Sequence, residues 1–199
     1  MAHIDIYFTP LSPYSYLTGQ RVPEIAKSHG ASITYKPLDI MALFARTGGT
    51  APSERHPARQ AYRVQDLRRR AARAGLALNE KPMFFPTNPA PASYALITAQ
   101  KTGGGDLGGL VLALGRAVWA EEKDIAQDDV IRAALSETGF DPDLADKGML
   151  AAADEYARNL EDAVGANVFG APFFVVDGVA HFWGQDRLED LDLHLSGKL

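Results

Sequence analysis

Ser12 is the residue of this chain whose type and setting most suggest chemistry. It precedes Pro13, and a Ser-Pro pair starts helices well: the hydroxyl accepts a free amide hydrogen, and Pro occupies the first helical position, where an N–H would have no partner. The pair predicts Ser12 at the positive end of a helix, a place suited to an anion. Serine attacks poorly without an adjacent base, and no His lies nearby in sequence. The role that fits is hydrogen-bond donation to an anion. Arg55, Arg59 and Arg63 recur every four residues and offer cations along one helical face, with Arg59 the leading candidate. A solvated charged face is the plainer reading of Arg63, Arg68, Arg69, Arg70 and Arg73. Tyr14, Phe84, Phe85 and Trp183 are candidates for an aromatic slot or for plain core, and Asn88 for a helix cap or a cleft contact. The five His are scattered without metal-ligand spacing, and Gly103-Gly104-Gly105 lacks the Lys-Ser/Thr of a phosphate loop.

These residues need elements to carry them. Ile4, Ile6 and Phe8 alternate with more polar neighbours, as in a short strand. Pro13 to about His29 reads as one helix stopped by Gly30, and residues 31–36 (ASITYK) as a second strand. Strand, helix and strand imply a parallel pair with a right-handed crossover. From Pro37 to about Ala166 the signal is almost wholly helical. Its segments are Asp39 to Arg46, Pro57 to Gly75, a helix opened by Asn88-Pro89, Leu107 to Glu122, Asp128 to Thr138, and Pro142 to about Val164. Pro172 to Val176, then Asp177-Gly178, then Val179 to Trp183 predicts a hairpin with a two-residue turn, and Gly184-Gln185-Asp186 leads into a last helix. The order βαβ, helical block, ββα is that of an α/β thioredoxin-like fold with a large all-helical insertion. Residues 1–37 plus 167–199 are expected to form the thioredoxin-like domain, and 38–166 the insertion.

The 199 residues suit one domain with such an insertion, and the net charge of −5 argues against a nucleic-acid partner. The charge is uneven: between Lys36 and Lys81 the only acids are Asp39, Glu54, Asp66 and Glu80, against ten Lys and Arg. No apolar run is long enough for a membrane span, and the start shows no leader-like segment, so a cytoplasmic address is the expectation. With no Cys there is no disulfide, no thiolate metal site and no thiol–disulfide oxidoreductase chemistry of the chain's own.

Ser12-Pro13-Tyr14-Ser15 resembles the Cys-Pro-Tyr-Cys of glutaredoxin-type sites with oxygen in place of each sulfur. Such sites stabilise a thiolate at a helix end. Here the thiolate would have to arrive on a small molecule, and glutathione is the obvious candidate. Three stretches widen the likeness: residues 11–17 (LSPYSYL), 168–174 (VFGAPFF) and 182–188 (FWGQDRL). Together they resemble the 2-hydroxychromene-2-carboxylate isomerases, bacterial members of the kappa-class glutathione transferase and DsbA-like group, over essentially the whole chain. The resemblance implies a homodimeric, glutathione-dependent enzyme of aromatic-hydrocarbon (naphthalene-type) degradation that takes a small aromatic carboxylate. Its reaction would interconvert 2-hydroxychromene-2-carboxylate and trans-o-hydroxybenzylidenepyruvate through reversible thiolate addition.

By the same resemblance Ser12 contacts the glutathione sulfur, and Ala171 pairs its backbone with the tripeptide ahead of a cis Pro172. Gln185 and Asp186 lie at the γ-glutamyl end, with Gly184 and Trp183 beside them. Family sequences often read Lys-Ala-Thr-Gly-Asn where this chain has Ala45-Arg46-Thr47-Gly48-Gly49, so Arg46 and Thr50 join Tyr14, Arg59, Phe85 and Asn88 as candidate substrate contacts. The alternatives are a kappa-type transferase acting on another electrophile and a non-catalytic peptide-binding module.

Overall fold

The computed structural model describes all residues from Met1 to Leu199. Four strands, β1 (His3–Phe8), β2 (Ser32–Pro37), β3 (Phe173–Val176) and β4 (Ala180–Trp183), form one sheet in the order β2-β1-β3-β4. β1 and β2 run parallel, while β3 lies antiparallel to both β1 and β4. This is the mixed thioredoxin-like sheet, interrupted between β2 and β3 by helices.

Side-chain alternation gives the sheet two buried faces. Ile4, Ile6, Phe8, Phe174 and Val176 point into a core of 30 buried residues, and Tyr7, Phe173 and Val175 into a smaller one of seven. The helices are α1 (Pro13–Tyr16), α2 (Arg21–Ser28), α3 (Ile40–Thr47), α4 (Pro57–Ala74), α5 (Ala90–Thr102), α6 (Leu107–Trp119), α7 (Asp128–Glu137), α8 (Met149–Gly165) and α9 (Leu188–Leu195). None is long and apolar enough to cross a membrane. The larger core mixes sheet residues with Leu96, Leu110, Leu114 and Trp119 of the insertion, so the insertion shares its core with the rest of the chain. The insertion also covers the β2 edge. The Gln100 amide donates to the Tyr35 carbonyl (3.0 Å) and accepts from the Tyr35 N–H (2.8 Å), satisfying an edge that would otherwise be open to pairing.

Three local expectations need correction. The first helix is broken: α1 is a single turn, and Gly19, at φ +56°, takes a left-handed conformation that lets the chain restart as α2. The stretch from Pro142 divides into a 3₁₀ turn (Pro142–Ala145) and α8, with Gly148 between them. The hairpin register sets Val176 opposite Ala180, leaving three residues at the turn instead of two. Asp177 explains the difference. It exchanges hydrogen bonds with His3, His3 N–H to its carboxylate at 2.8 Å and its own N–H to the His3 carbonyl at 2.9 Å, which ties the turn to the start of β1.

Candidate active site

Ser12 closes the loop after β1 and caps α1, its Oγ accepting from the Ser15 N–H at 3.2 Å. Because α1 is so short, little helix dipole reaches this point. The donors that remain are local. The Tyr14 N–H has no backbone partner, and the Ser12 hydroxyl hydrogen has no acceptor within the chain. At the same end of the sheet, where Tyr7 of β1 faces Phe173 of β3, the Ala171–Pro172 peptide is cis. Pairing of β3 begins only at Phe173, so the Ala171 N–H and C=O stay outside the sheet's ladder. An extended peptide could add there.

Two cavities meet above this point. The first, about 500 Å³, is lined by Thr50, Arg59, Asp66, Phe169, Gly170, Trp183, Gly184, Gln185, Asp186 and Arg187 among others. The larger, about 660 Å³, is walled by Ser12, Ile40, Met41, Phe85, Pro86, Asn88, Arg63, Tyr94 and Tyr156 among others. Tyr14, Phe44, Arg55 and Ala171 belong to both. The first carries more charged side chains, Arg55, Arg59, Asp66, Asp186 and Arg187, while the second is more apolar and aromatic.

A chain of polar contacts fixes the shared wall. The Tyr14 hydroxyl donates to Asp66 Oδ2 at 3.1 Å, Arg70 Nε donates to Asp66 Oδ1 at 3.2 Å, and Arg70 Nη2 approaches Asp186 Oδ2 at 3.4 Å. Burial first, and then the Asp66 carboxylate, push the Tyr14 phenol up to about 12, so it remains a donor at any physiological pH. Burial lowers the Arg55 and Arg63 guanidinium pKa values from their usual range, and repulsion from Arg59 at Arg55 and from Arg55 at Arg63 adds to this.

Trp183 stacks edge-on against Phe169 with ring centroids 4.9 Å apart, and both rings remain substantially exposed at the mouth of the first cavity. Gly170 makes the Trp183 position possible, since a Cβ there would lie 2.4 Å from the indole Nε1. Gly184 turns the chain at φ +107°, where a Cβ would meet Asp186 Oδ1 at 2.6 Å.

The structure brings most of the anticipated residues to one cleft, divided between its two halves. Thr50, Arg59, Trp183, Gly184, Gln185 and Asp186 line the first cavity, Ser12, Phe85 and Asn88 the larger, and Tyr14 and Ala171 both. Phe85 does double service, packing on the fully buried Trp119 with centroids 4.8 Å apart, and Asn88 also caps α5 through the Ala90 N–H. Three anticipated residues lie elsewhere, among them Phe84, an exposed ring that lines neither cavity. Arg46 lines neither cavity because it is paired with Glu161 on α8, and the Pro172 ring lies beneath the cleft beside a small internal void. The reading of Arg63 and Arg70 as solvated surface is overturned: Arg63 walls the larger cavity, and Arg70 is bound to Asp66 and Asp186. Asp66, Phe44, Arg187 and Tyr156 were not anticipated. Asp66 had a signal, as the lone acid in the Arg-rich stretch of α4.

Residues 3–196 match the family described as the DSBA-like thioredoxin domain. The chain is 30% identical over 195 residues to a 2-hydroxychromene-2-carboxylate isomerase of Sphingobium xenophagum, covering 96% of this chain and 97% of that one. A solved 2-hydroxychromene-2-carboxylate isomerase superposes with a TM-score of 0.77 at 25% identity, over 98% of this chain and 95% of that one. The cytosolic disulfide reductase DsbM of Pseudomonas aeruginosa, solved with GSH, shares the fold at a TM-score of 0.72 and 15% identity, over 98% of both chains.

Proposed function

The chain belongs to the DsbA-like thioredoxin family, among the homologues of 2-hydroxychromene-2-carboxylate isomerase, and on that footing we propose that it is a glutathione-dependent isomerase. Its substrate pair is 2-hydroxychromene-2-carboxylate and trans-o-hydroxybenzylidenepyruvate. The observation that carries the reading is the pairing of a Cys-free thiolate cradle with an unpaired backbone step at Ala171, on the wall between two cavities. The residues present fit a bound tripeptide. Ala171 offers an N–H and a C=O for strand-like addition, Asp186 an acceptor for an ammonium, and Gln185 and Arg187 polar contacts for a carboxylate in the same cavity.

Bound there, glutathione would supply a thiol for reversible addition to the conjugated carbon–carbon double bond, which would allow rotation about that bond with no net change in composition. The rest of the chemistry falls to the chain. Ser12 donates its hydroxyl hydrogen toward the sulfur, and the Tyr14 N–H lies next to it; both favour the ionised form of a thiol whose ordinary pKa is about 8.5. Tyr14, held by Asp66, keeps the wall between the two cavities in place. Phe85, Tyr94 and Tyr156 give the larger cavity flat apolar surfaces for an aromatic ring and exclude water around it. The site residues act on one chain in this account, and a homodimer and a cytoplasmic setting are part of the same proposal.

Ser12→Ala tests it. The ultraviolet thiolate band of enzyme-bound glutathione, followed against pH, is expected to move to higher pH in the variant and turnover to fall with it. An identical titration in both proteins would remove Ser12 from the mechanism. Product analysis separates isomer from a stable glutathione conjugate, which a kappa-type transferase would make instead.

A further inference from the structure

Every arginine facing Asp66 or Glu80 on α4 is neutralised: Arg68 by Glu80, and Arg70 by Asp66 and Asp186. Arg55 and Arg63 are not. Both are half-buried; besides burial, Arg59 and the Tyr14 oxygen act on Arg55, and the Tyr14 oxygen and Arg55 act on Arg63, with no carboxylate among them. Arg55 spends one donor, its Nε, on the Thr50 carbonyl at 3.0 Å, which orients the guanidinium and leaves its two terminal nitrogens free. The one acid in the larger cavity, Asp39, is already occupied at the start of α3, accepting from the Met41 and Ala42 N–H groups at 2.9 and 3.1 Å. The cavity thus combines aromatic walls with two guanidiniums that burial disfavours and nothing in the chain balances. A buried charge in that condition is stabilised by an incoming anion of opposite sign.

We propose that Arg55 and Arg63 form the subsite that grips the anionic group of the electrophile, making the larger cavity selective for flat aromatic carboxylates over their neutral analogues. The proposal rests on reading that cavity as the electrophile's half of the cleft. It assigns the grip to Arg63 and the oriented Arg55, in place of the exposed Arg59 and of Arg46, which is held by Glu161. A carboxylate suits the pair because a planar guanidinium can meet both of its oxygens at once.

Calorimetric titration with trans-cinnamate, whose carboxylate-deactivated double bond resists thiol addition, and with trans-cinnamyl alcohol, its neutral counterpart, tests the assignment without turnover. The intact protein is expected to bind cinnamate more tightly than the alcohol. Arg63→Gln and Arg55→Gln are each expected to weaken cinnamate by roughly ten-fold or more and to leave the alcohol within about two-fold. Arg63→Lys, which keeps the charge and loses the fork, is expected to fall between. Absence of cinnamate binding, an unchanged cinnamate affinity in Arg63→Gln, or an equal loss for acid and alcohol would overturn the subsite. Glutathione titrated separately into Arg63→Gln keeps the two readings apart. Failure of glutathione to bind any form counts against the isomerase reading, while the acid-against-alcohol difference stands or falls by itself.

Discussion

The Tyr14 hydroxyl donates to Asp66 Oδ2 at 3.1 Å, so a ring carried by the loop after β1 is fixed in place by a helix of the insertion. Burial, and after it the Asp66 charge and this bond, raise the Tyr14 phenol from 10.0 to about 12. Because the folded chain holds this proton more tightly than the unfolded chain, the contribution to stability is complete below about pH 10 and is lost as pH rises toward about 12. Asp66→Asn should lower the Tyr14 titration only in part, leaving the share due to burial, as read from the ring carbon resonance of labelled tyrosine. A titration that does not move would mean that Asp66 does not act on Tyr14.

Arg70 extends this contact to the opposite rim, since it binds both Asp66 and Asp186. Arg70→Gln is expected to loosen Asp186 and weaken glutathione severalfold, with only a small change in global stability because the pairs are partly exposed. Titration of glutathione into the variant checks this. Equal affinities would show that Asp186 holds its position without Arg70.

At the mouth of the first cavity the fit between Gly170 and Trp183 leaves no space for a methyl group. Gly170→Ala should swing the indole outward. Trp119 is fully buried, so a shift in the exposed component of the fluorescence reports Trp183 alone. The stability change should stay under roughly 1 kcal/mol because the displaced ring is already half in solvent. Unchanged emission would contradict the packing.

Gly184→Ala should be more costly, on the order of 1–3 kcal/mol in a denaturant titration, because a side chain at φ +107° is strained and would also crowd Asp186. A loss within experimental error would show that the turn can relax.

Ser15 is the second serine of the Ser-Pro-Tyr-Ser run, yet its Oγ is buried without a partner next to a void of about 20 Å³. Ser15→Ala removes an unsatisfied hydroxyl and improves helix propensity, so the melting temperature should hold or rise. A fall of several degrees would reveal a water bonded in that void.

The parts of this molecule legible in its sequence are those governed by local rules. The Ser12-Pro13 cap, the alternation of Ile4, Ile6 and Phe8, and the order βαβ, helices, ββα all depend on neighbours a few residues apart, and all appear in the structure. Where tertiary contacts decide, the sequence was silent. The Asp177 link to His3, 174 residues away, sets the hairpin turn, and the Arg46 pair with Glu161 removes a cation from the candidate list. Arg63 was the instructive case. A four-residue spacing tells which face of α4 it shares with Arg59, but whether that face meets water or a cavity depends on Tyr14 and Phe85 arriving from other elements.

The most direct measurement is the rate at which the purified protein interconverts 2-hydroxychromene-2-carboxylate and trans-o-hydroxybenzylidenepyruvate, followed by absorbance with and without added glutathione. Turnover is expected only when glutathione is present, saturating as its concentration rises. Equal rates in its absence, or no conversion under either condition, would contradict a catalyst whose reacting sulfur comes from outside the polypeptide.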